Sequence, residues 1–305
     1  MRYYLYSASL ILLAILVITF IPFLTERTEE YFIAFQIPQN NSKTLGIQKY
    51  NIPPISKNLP PPYFSARAVF IKDLSTDTIL FQKDANLPLP TASTTKIMTA
   101  IVGAEYFKQN SILTVKDGAK IPGASVGLFS GEDLSFRSLL YGMLLSSGND
   151  AAYTIAENFP GGIPGFVSQM NRKASLINLE NTHFDNPAGF DSPKHFSTAR
   201  DLSKITEEAL KDSILSRIFQ TKETDIVSLD KKFKHKLYNL NKLLTQVTGV
   251  LGVKTGTTPQ AKENLITLVE RNGKRVLIVL FGSDDRFLET KKLIEWTYSN
   301  FEWFN

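Results

Sequence analysis

From residue 66 onward, short apolar runs rich in β-branched and aromatic residues alternate with longer runs whose apolar positions recur every three to four residues. Residues 66–71 and 78–81 are of the first kind and flank Ser75-Thr76-Asp77, which predicts a β-hairpin. Residues 94–107 place Ile97, Met98, Ile101, Val102 and Ala104 at helical spacing. Residues 136–145, 151–157, 166–177 and 199–210 read as helices in the same way. A second hairpin is predicted from residues 265–269 and 275–280, joined through Arg271-Asn272-Gly273. The acidic pair Asp284-Asp285 then predicts the start of a helix over residues 286–300. Strands near both ends and helices between them make the chain α+β, with an antiparallel sheet built from its two ends. No internal repeat interrupts this order.

The first 63 residues follow a different pattern. Behind Arg2, an uncharged and largely apolar run extends from Tyr3 to Leu24. At about 1.5 Å per residue it spans roughly 30 Å, the thickness of a bilayer core. Glu26, Glu29 and Glu30 lie beyond it, so a membrane anchor is expected over residues 1–25 with the chain's body outside the cytoplasmic membrane. A cleaved signal peptide is the alternative, but the run exceeds the usual apolar region and no A-x-A-like site follows. Residues 26–63 carry Pro53-Pro54 and Pro60-Pro61-Pro62 and are expected to form an extracytoplasmic stalk. The folded domain is expected over residues 64–305.

Composition narrows the chemistry. The 305 residues are 43% hydrophobic and 21% charged, an ordinary globular balance. There is no cysteine, which removes thiol nucleophiles and Cys-ligated metals. His183, His195 and His235 stand at no metal-ligand spacing, so neither a metal nor another cofactor is expected. The net charge of +5 is spread among interspersed acids and bases, and no basic stripe supports nucleic-acid binding.

Three short motifs remain. Ser93-Thr94-Thr95-Lys96 is an S-x-x-K at a helix start, where residues i and i+3 share a face. A serine needs a base to become a nucleophile, and a buried lysine with a lowered pKa can serve. The competing structural role for Ser93 is an N-cap, and for Lys96 a solvated helix face. One or two chance copies of such a motif are expected in a chain of this length, and Ser228-Leu229-Asp230-Lys231 is a second one. Ser147-Gly148-Asn149 is an S-x-N whose alternative role is a turn between helices. A chance copy, Ser56-Lys57-Asn58, lies in the proline-rich stalk. Lys254-Thr255-Gly256 occurs once, on or beside a strand, with a glycine that permits close backbone approach.

In the order S-x-x-K, S-x-N, K-T-G, these motifs are the signature of penicillin-binding proteins and serine β-lactamases. Two further stretches, residues 181–189 and 195–202, together with residues 239–244, extend the likeness. From about Ala66 to Trp296 the chain resembles the serine D-alanyl-D-alanine carboxypeptidases, the low-molecular-mass penicillin-binding proteins. The resemblance implies a β-lactamase/transpeptidase-like fold with a helical subdomain carrying Ser147-Gly148-Asn149. It implies an acyl-enzyme on Ser93, Lys96 as base and Ser147 as proton relay. It assigns Asn149, Lys254, Thr255, Gly256 and Thr257 to substrate binding, with the N–H groups of Ser93 and Thr257 as oxyanion hole. The implied partners are peptidoglycan stem peptides ending in D-Ala-D-Ala, β-lactams as covalent inhibitors, and the lipid bilayer through the N-terminal run. An endopeptidase acting on cross-links and a non-catalytic penicillin sensor are the alternatives.

The chain departs from the family pattern at Phe190, where leucine is usual, at Phe196, where tyrosine is usual, and at Lys262, where glycine commonly follows Ala261. The extra β-rich domain and C-terminal anchor of many members are not expected, and the N-terminal run is expected to replace that tether. Gly123-Ala124-Ser125-Val126-Gly127 is a G-x-S-x-G, but it lacks the strand-turn-helix context of a nucleophile elbow. Glu157 and Glu180 lie where a β-lactamase would need its deacylating glutamate, yet neither has the E-x-x-L-N context.

Overall fold

The computed structural model describes residues 52–304. The expected anchor and most of the expected stalk lie outside the described residues. Among the described residues, no helix is long and apolar enough to cross a membrane.

The core is a five-stranded antiparallel sheet: β1 (Ala68–Asp73), β2 (Thr78–Lys83), β3 (Val250–Thr258), β4 (Lys262–Arg271) and β5 (Lys274–Ser283). Its order is β2-β1-β5-β4-β3. The two ends of the chain meet where β1 pairs with β5, Ile71 opposite Ile278 and Val69 opposite Leu280. The sheet is covered on both faces, with the period of two that strands impose. Val69, Ile71, Leu265, Val269, Val276, Ile278 and Leu280 share one cluster with Leu293 and Ile294 of the last helix. Ala68, Phe70, Ile266, Leu268, Leu277, Val279 and Phe281 belong to the cluster of the helical body. Burial on both sides explains why residues 276–281 form an unbroken apolar run rather than an alternating one. Each such side chain contributes about 1.5–3 kcal/mol when fully buried.

The helices of eight residues or more are α1 (Lys96–Tyr106), α2 (Phe136–Leu144), α3 (Asn149–Glu157), α4 (Gly162–Leu176), α5 (Ala199–Leu210), α6 (Ser213–Gln220) and α7 (Arg286–Asn300). Side-chain caps mark the starts of α2, α5, α6 and α7. Ser135 Oγ accepts from Ser138 N at 3.1 Å, Thr198 Oγ1 from Asp201 N at 3.0 Å, and Asp285 Oδ1 from Leu288 N at 3.0 Å. Each satisfies an N–H that the helix leaves unpaired. Helix α1 runs through the middle of the body. Its Gly103 lies so close to α2 that an added Cβ would sit 2.9 Å from the Phe136 ring.

Several elements escaped the sequence pattern, among them a helix and a hairpin in the second half of the chain. Helix α6 has only eight residues, and its buried Leu215, Ile218 and Phe219 stand at helical spacing although no helix was expected there. The hairpin Glu223–Val227 with Lys234–Tyr238 is masked by charge, because only alternate positions such as His235 and Leu237 turn inward. The second S-x-x-K forms the tip of that hairpin. There Ser228 Oγ donates to Asp230 Oδ1 at 2.7 Å and accepts from Phe233 N at 3.0 Å, the work of a turn residue.

The last part of the proline-rich segment is attached to the domain. Ile55–Ser56 pairs antiparallel with Phe301–Glu302. Lys57 N donates to Asn300 O at 2.7 Å, and Trp296 Nε1 donates to Leu59 O at 3.1 Å.

Candidate active site

Ser93 lies in a short 3-10 helix, Ala92–Thr95, that leads directly into α1. No side chain caps this start, so the serine hydroxyl is not spent on an N-cap. In a 3-10 turn, side chains at i and i+3 eclipse one another. Lys96 Nζ accordingly lies 2.9 Å from Ser93 Oγ. The turn is pinned from the sheet: Asn264 of β4 donates through Nδ2 to Pro90 O at 3.0 Å and Thr91 O at 3.2 Å. Ala92 is held at φ +48°, a left-handed conformation that a non-glycine residue adopts only under surrounding constraint.

Lys96 is fully buried. Besides Ser93 it reaches two oxygens, Asn149 Oδ1 at 2.7 Å and Ala188 O at 2.9 Å. Burial pushes its pKa well below the usual lysine value, and the nearby cation Lys254 pushes the same way, with Asp150 opposing. A neutral amine has two N–H bonds and one lone pair. The ammonium donates to all three oxygens; once it is neutral, the two other oxygens can take its two donors and leave the lone pair for the Ser93 hydroxyl. That is the arrangement of a general base and its nucleophile.

Ser147 is also left-handed, at φ +61°, in the bend between α2 and α3. Lys254 of β3 donates to its Oγ at 3.0 Å and to Thr255 O at 3.0 Å. Lys254 is buried, and burial followed by repulsion from Arg286 lowers its pKa to about 7. Arg286 opens α7 and donates through Nη1 to Gly256 O at 2.9 Å. Gly256 itself lies against the nucleophile turn: a Cβ there would be 3.1 Å from Ser93 N and 3.1 Å from Ala92 Cβ. The sequence assigned this glycine to close approach of a ligand. The structure shows that the nearest group is the backbone of the serine turn. Thr257 is exposed at the rim, and Thr255 is buried. The three motifs therefore converge, with Asn149 holding Lys96 and donating through Nδ2 to Pro122 O at 2.8 Å.

The segment from Asn186 to Phe190 closes the site behind Lys96. Asn186 Oδ1 accepts from the N–H groups of Ala188, Gly189 and Phe190 at 3.2, 2.7 and 3.0 Å. This turns the Ala188 carbonyl onto Lys96. His195 supports the same region. Its Nδ1 accepts from Asp185 N at 3.0 Å, so Nε2 carries the proton and donates to Thr95 Oγ1 at 2.7 Å. Burial lowers its pKa from 6.5 to about 4. A depressed folded-state value means stability that is present above pH 6.5 and lost as pH falls through 4. The melting temperature is expected to drop over that window, and to drop less in His195→Gln. Equal acid sensitivity of the two proteins would show that other groups control the transition.

The competing motifs are otherwise engaged. Ser125 Oγ donates to Asp150 Oδ2 at 2.5 Å, and the same carboxylate accepts from the N–H groups of Val126, Gly127 and Leu128. Asp150 thus folds the G-x-S-x-G segment as a loop. Glu157 is directed at the backbone of Gly118 and Lys116, and Glu180 is exposed.

The family model for D-alanyl-D-alanine carboxypeptidases, the S11 peptidases, matches residues 56–285. This chain belongs to that family. It is similar to the D-alanyl-D-alanine carboxypeptidase DacF of Bacillus subtilis, with 32% identity over 247 residues, 78% of this chain and 63% of that one. The chain thus spans less than two thirds of that relative's length. The D-alanyl-D-alanine carboxypeptidase of Streptomyces sp. strain K15 is 32% identical over 240 residues, 73% of this chain and 82% of its own. The crystal structure of the Streptomyces K15 DD-transpeptidase superposes with a TM-score of 0.74 at 30% identity, covering 79% of this chain and all of that one. The α+β, transpeptidase-like architecture read from the sequence is the observed one.

Within this D-alanyl-D-alanine carboxypeptidase family member, several site residues carried no sequence signal. Arg286 reads only as the first residue of a helix. Asn264 and Asn186 are single polar residues, and the Ala188 carbonyl has no side-chain signature at all. At position 262, where the family favours glycine, Lys262 takes the left-handed φ of +55° that glycine adopts freely, and it pairs with Asp284 at 2.9 Å.

Proposed function

We propose that this protein is a serine-type D-alanyl-D-alanine carboxypeptidase that trims peptidoglycan stem peptides. The observation that carries the reading is Lys96 beside Ser93, its pKa lowered by burial and then by the nearby Lys254, which itself lies close to Arg286. β3 is an edge strand of the sheet, so a peptide can add to its free side as a further antiparallel strand. With its terminal carboxylate at Lys254, Thr255 and Arg286, its scissile carbonyl falls at Ser93.

The chemistry then follows the geometry. Ser93 Oγ attacks the carbonyl carbon between the two D-alanines while its proton passes to Lys96 Nζ. The N–H groups of Ser93 and Thr257 receive the oxyanion. Lys96 returns that proton through Ser147, which is bridged to Lys254, to the leaving amine as the peptide C–N bond breaks; free D-alanine departs, and Lys96 is neutral again. Water attacks the remaining ester and gives a proton to Lys96, which passes it to Ser93 Oγ as the ester C–O bond breaks, and the shortened peptide departs as its carboxylate. Asn149 binds the substrate amide as well as Lys96. A β-lactam, whose strained amide presents the same carbonyl and carboxylate, acylates Ser93 and leaves slowly. The apolar run at residues 3–24 supports a single-pass anchor that holds the domain on the outer side of the cytoplasmic membrane.

The test uses the full chain purified from membranes in detergent. Free D-alanine is measured from a peptide ending in D-Ala-D-Ala, beside Ser93→Ala and a penicillin-treated sample. Release abolished by both interventions is the expected result. A stable penicillin adduct without release, together with cleavage of cross-linked fragments, would replace the carboxypeptidase reading by an endopeptidase. Recovery of the chain in the soluble fraction would sink the anchor.

A further inference from the structure

The proposed reaction uses the cleft from Arg286 to Thr257 and leaves its other end unassigned. There the chain leaves the Lys96 region through Gly189 and Phe190 and reaches Asp191. Asp191 Oδ1 accepts from Thr258 Oγ1 at 2.7 Å, and Oδ2 accepts from Gln260 N at a long 3.4 Å. Among the described residues, no lysine or arginine forms an ion pair with this carboxylate. Lys262, at the same hairpin, is engaged with Asp284. Asp191 is only partly buried, so a ligand can reach it.

Apolar surface adjoins it. The Phe190 ring lies 6.0 Å from that of Tyr153, centroid to centroid. Tyr153 is four residues after Asn149 on α3, hence on the same helix face. Phe190 also approaches Gly123, where Asn149 Nδ2 is the nearest neighbour. The two rings therefore form a wall beside the substrate-facing asparagine.

A peptide laid antiparallel on β3 advances about 3.4 Å per residue. With the scissile carbonyl at Thr257, the residue just upstream of D-Ala-D-Ala lies opposite Thr258, where Asp191 is attached. The geometry points to a subsite for a side-chain amine on that upstream residue, with Asp191 as counter-charge and Phe190 and Tyr153 as a wall for its aliphatic stem. This inference rests on the carboxypeptidase reading above. It makes the enzyme selective for peptides in which a diamino residue keeps a free amine, over those in which that amine is acylated.

The experiment compares kcat/KM for Nα-acetyl-L-Lys-D-Ala-D-Ala and Nα,Nε-diacetyl-L-Lys-D-Ala-D-Ala, in the full-length enzyme and in Asp191→Asn. Asparagine keeps an acceptor for Thr258 and removes the charge. The expected preference of the unaltered enzyme for the free amine is about tenfold, as for a charge-assisted hydrogen bond. It should shrink at high salt and fall to near one in Asp191→Asn. Taking the ratio cancels any common loss from disturbing the β3–β4 turn. A ratio near one in the unaltered enzyme, or an unchanged ratio in the variant, overturns the subsite while leaving the carboxypeptidase reading intact. Absence of Ser93-dependent turnover of both peptides would overturn that reading, and the subsite with it.

Discussion

Lys96→Met is expected to slow acylation of Ser93 by about a thousandfold, the middle of the range for loss of a positioned base. Methionine is of similar length and can stay buried, but its thioether sulfur is far too weak a base to take the proton of the Ser93 hydroxyl, 2.9 Å from Nζ in the native protein. It also leaves Asn149 Oδ1 and Ala188 O without their buried donor, which costs about 1–3 kcal/mol each before relaxation. Part of that loss is offset because a lysine no longer has to be buried. The rate is read by single-turnover acylation with a chromogenic β-lactam, and stability by thermal unfolding. Lys96→Arg separates two roles for the lysine. A guanidinium keeps its charge at any accessible pH and cannot accept the serine proton. It should be as slow as methionine. Acylation by either variant within tenfold of the native rate would mean that Lys96 is a structural cation and that another group takes the proton.

Gly189→Ala is expected to be the most damaging single-methyl change near the site. The added Cβ would sit 1.7 Å from Ala92 O and 2.9 Å from Thr95 Oγ1, with the backbone at φ +93°. The first clash is with main chain, so no rotamer change relieves it. The 188–190 segment must instead withdraw from the nucleophile turn, taking the Ala188 carbonyl away from Lys96. A loss of at least about 3 kcal/mol, or failure to fold, is expected. Gly127→Ala is the control. Its φ of +81° imposes a similar backbone penalty, yet nothing lies within 4 Å of its Cβ. It should lose only about 1 kcal/mol. Denaturant titration of both proteins decides the matter: equal midpoints would show that the conformation of Gly189, and not its closeness to Ala92, is what the fold requires.

Much of this molecule was legible without coordinates because the relevant physics is local. Period-two and period-3.6 patterns marked the hairpins and most helices, and Asp284-Asp285 marked the start of α7 at the observed residue. The pairing of Ser93 with Lys96 follows from their spacing of three. The order of the three motifs, with their flanking stretches, sufficed to recognise the family. The Glu223–Val227 hairpin was missed because its polar composition resembles a loop until a partner strand is in place.

The state of the site is another matter. A lysine loses its proton readily only when it is buried, and the burial of Lys96 is supplied by residues such as Asn149 and Ala188, 53 and 92 positions away. The bond between Lys254 and Ser147 spans 107 positions, and Arg286 reaches Gly256 from a helix whose pattern announces only packing. Asn264 became a site residue because β4 passes under the serine turn. The sequence by itself determined the three motifs, their order and most of the elements that bear them, since these depend on neighbours within a few positions. The tertiary structure alone decided the electrostatics, because desolvation and charge coupling depend on distances in space that chain separation does not encode.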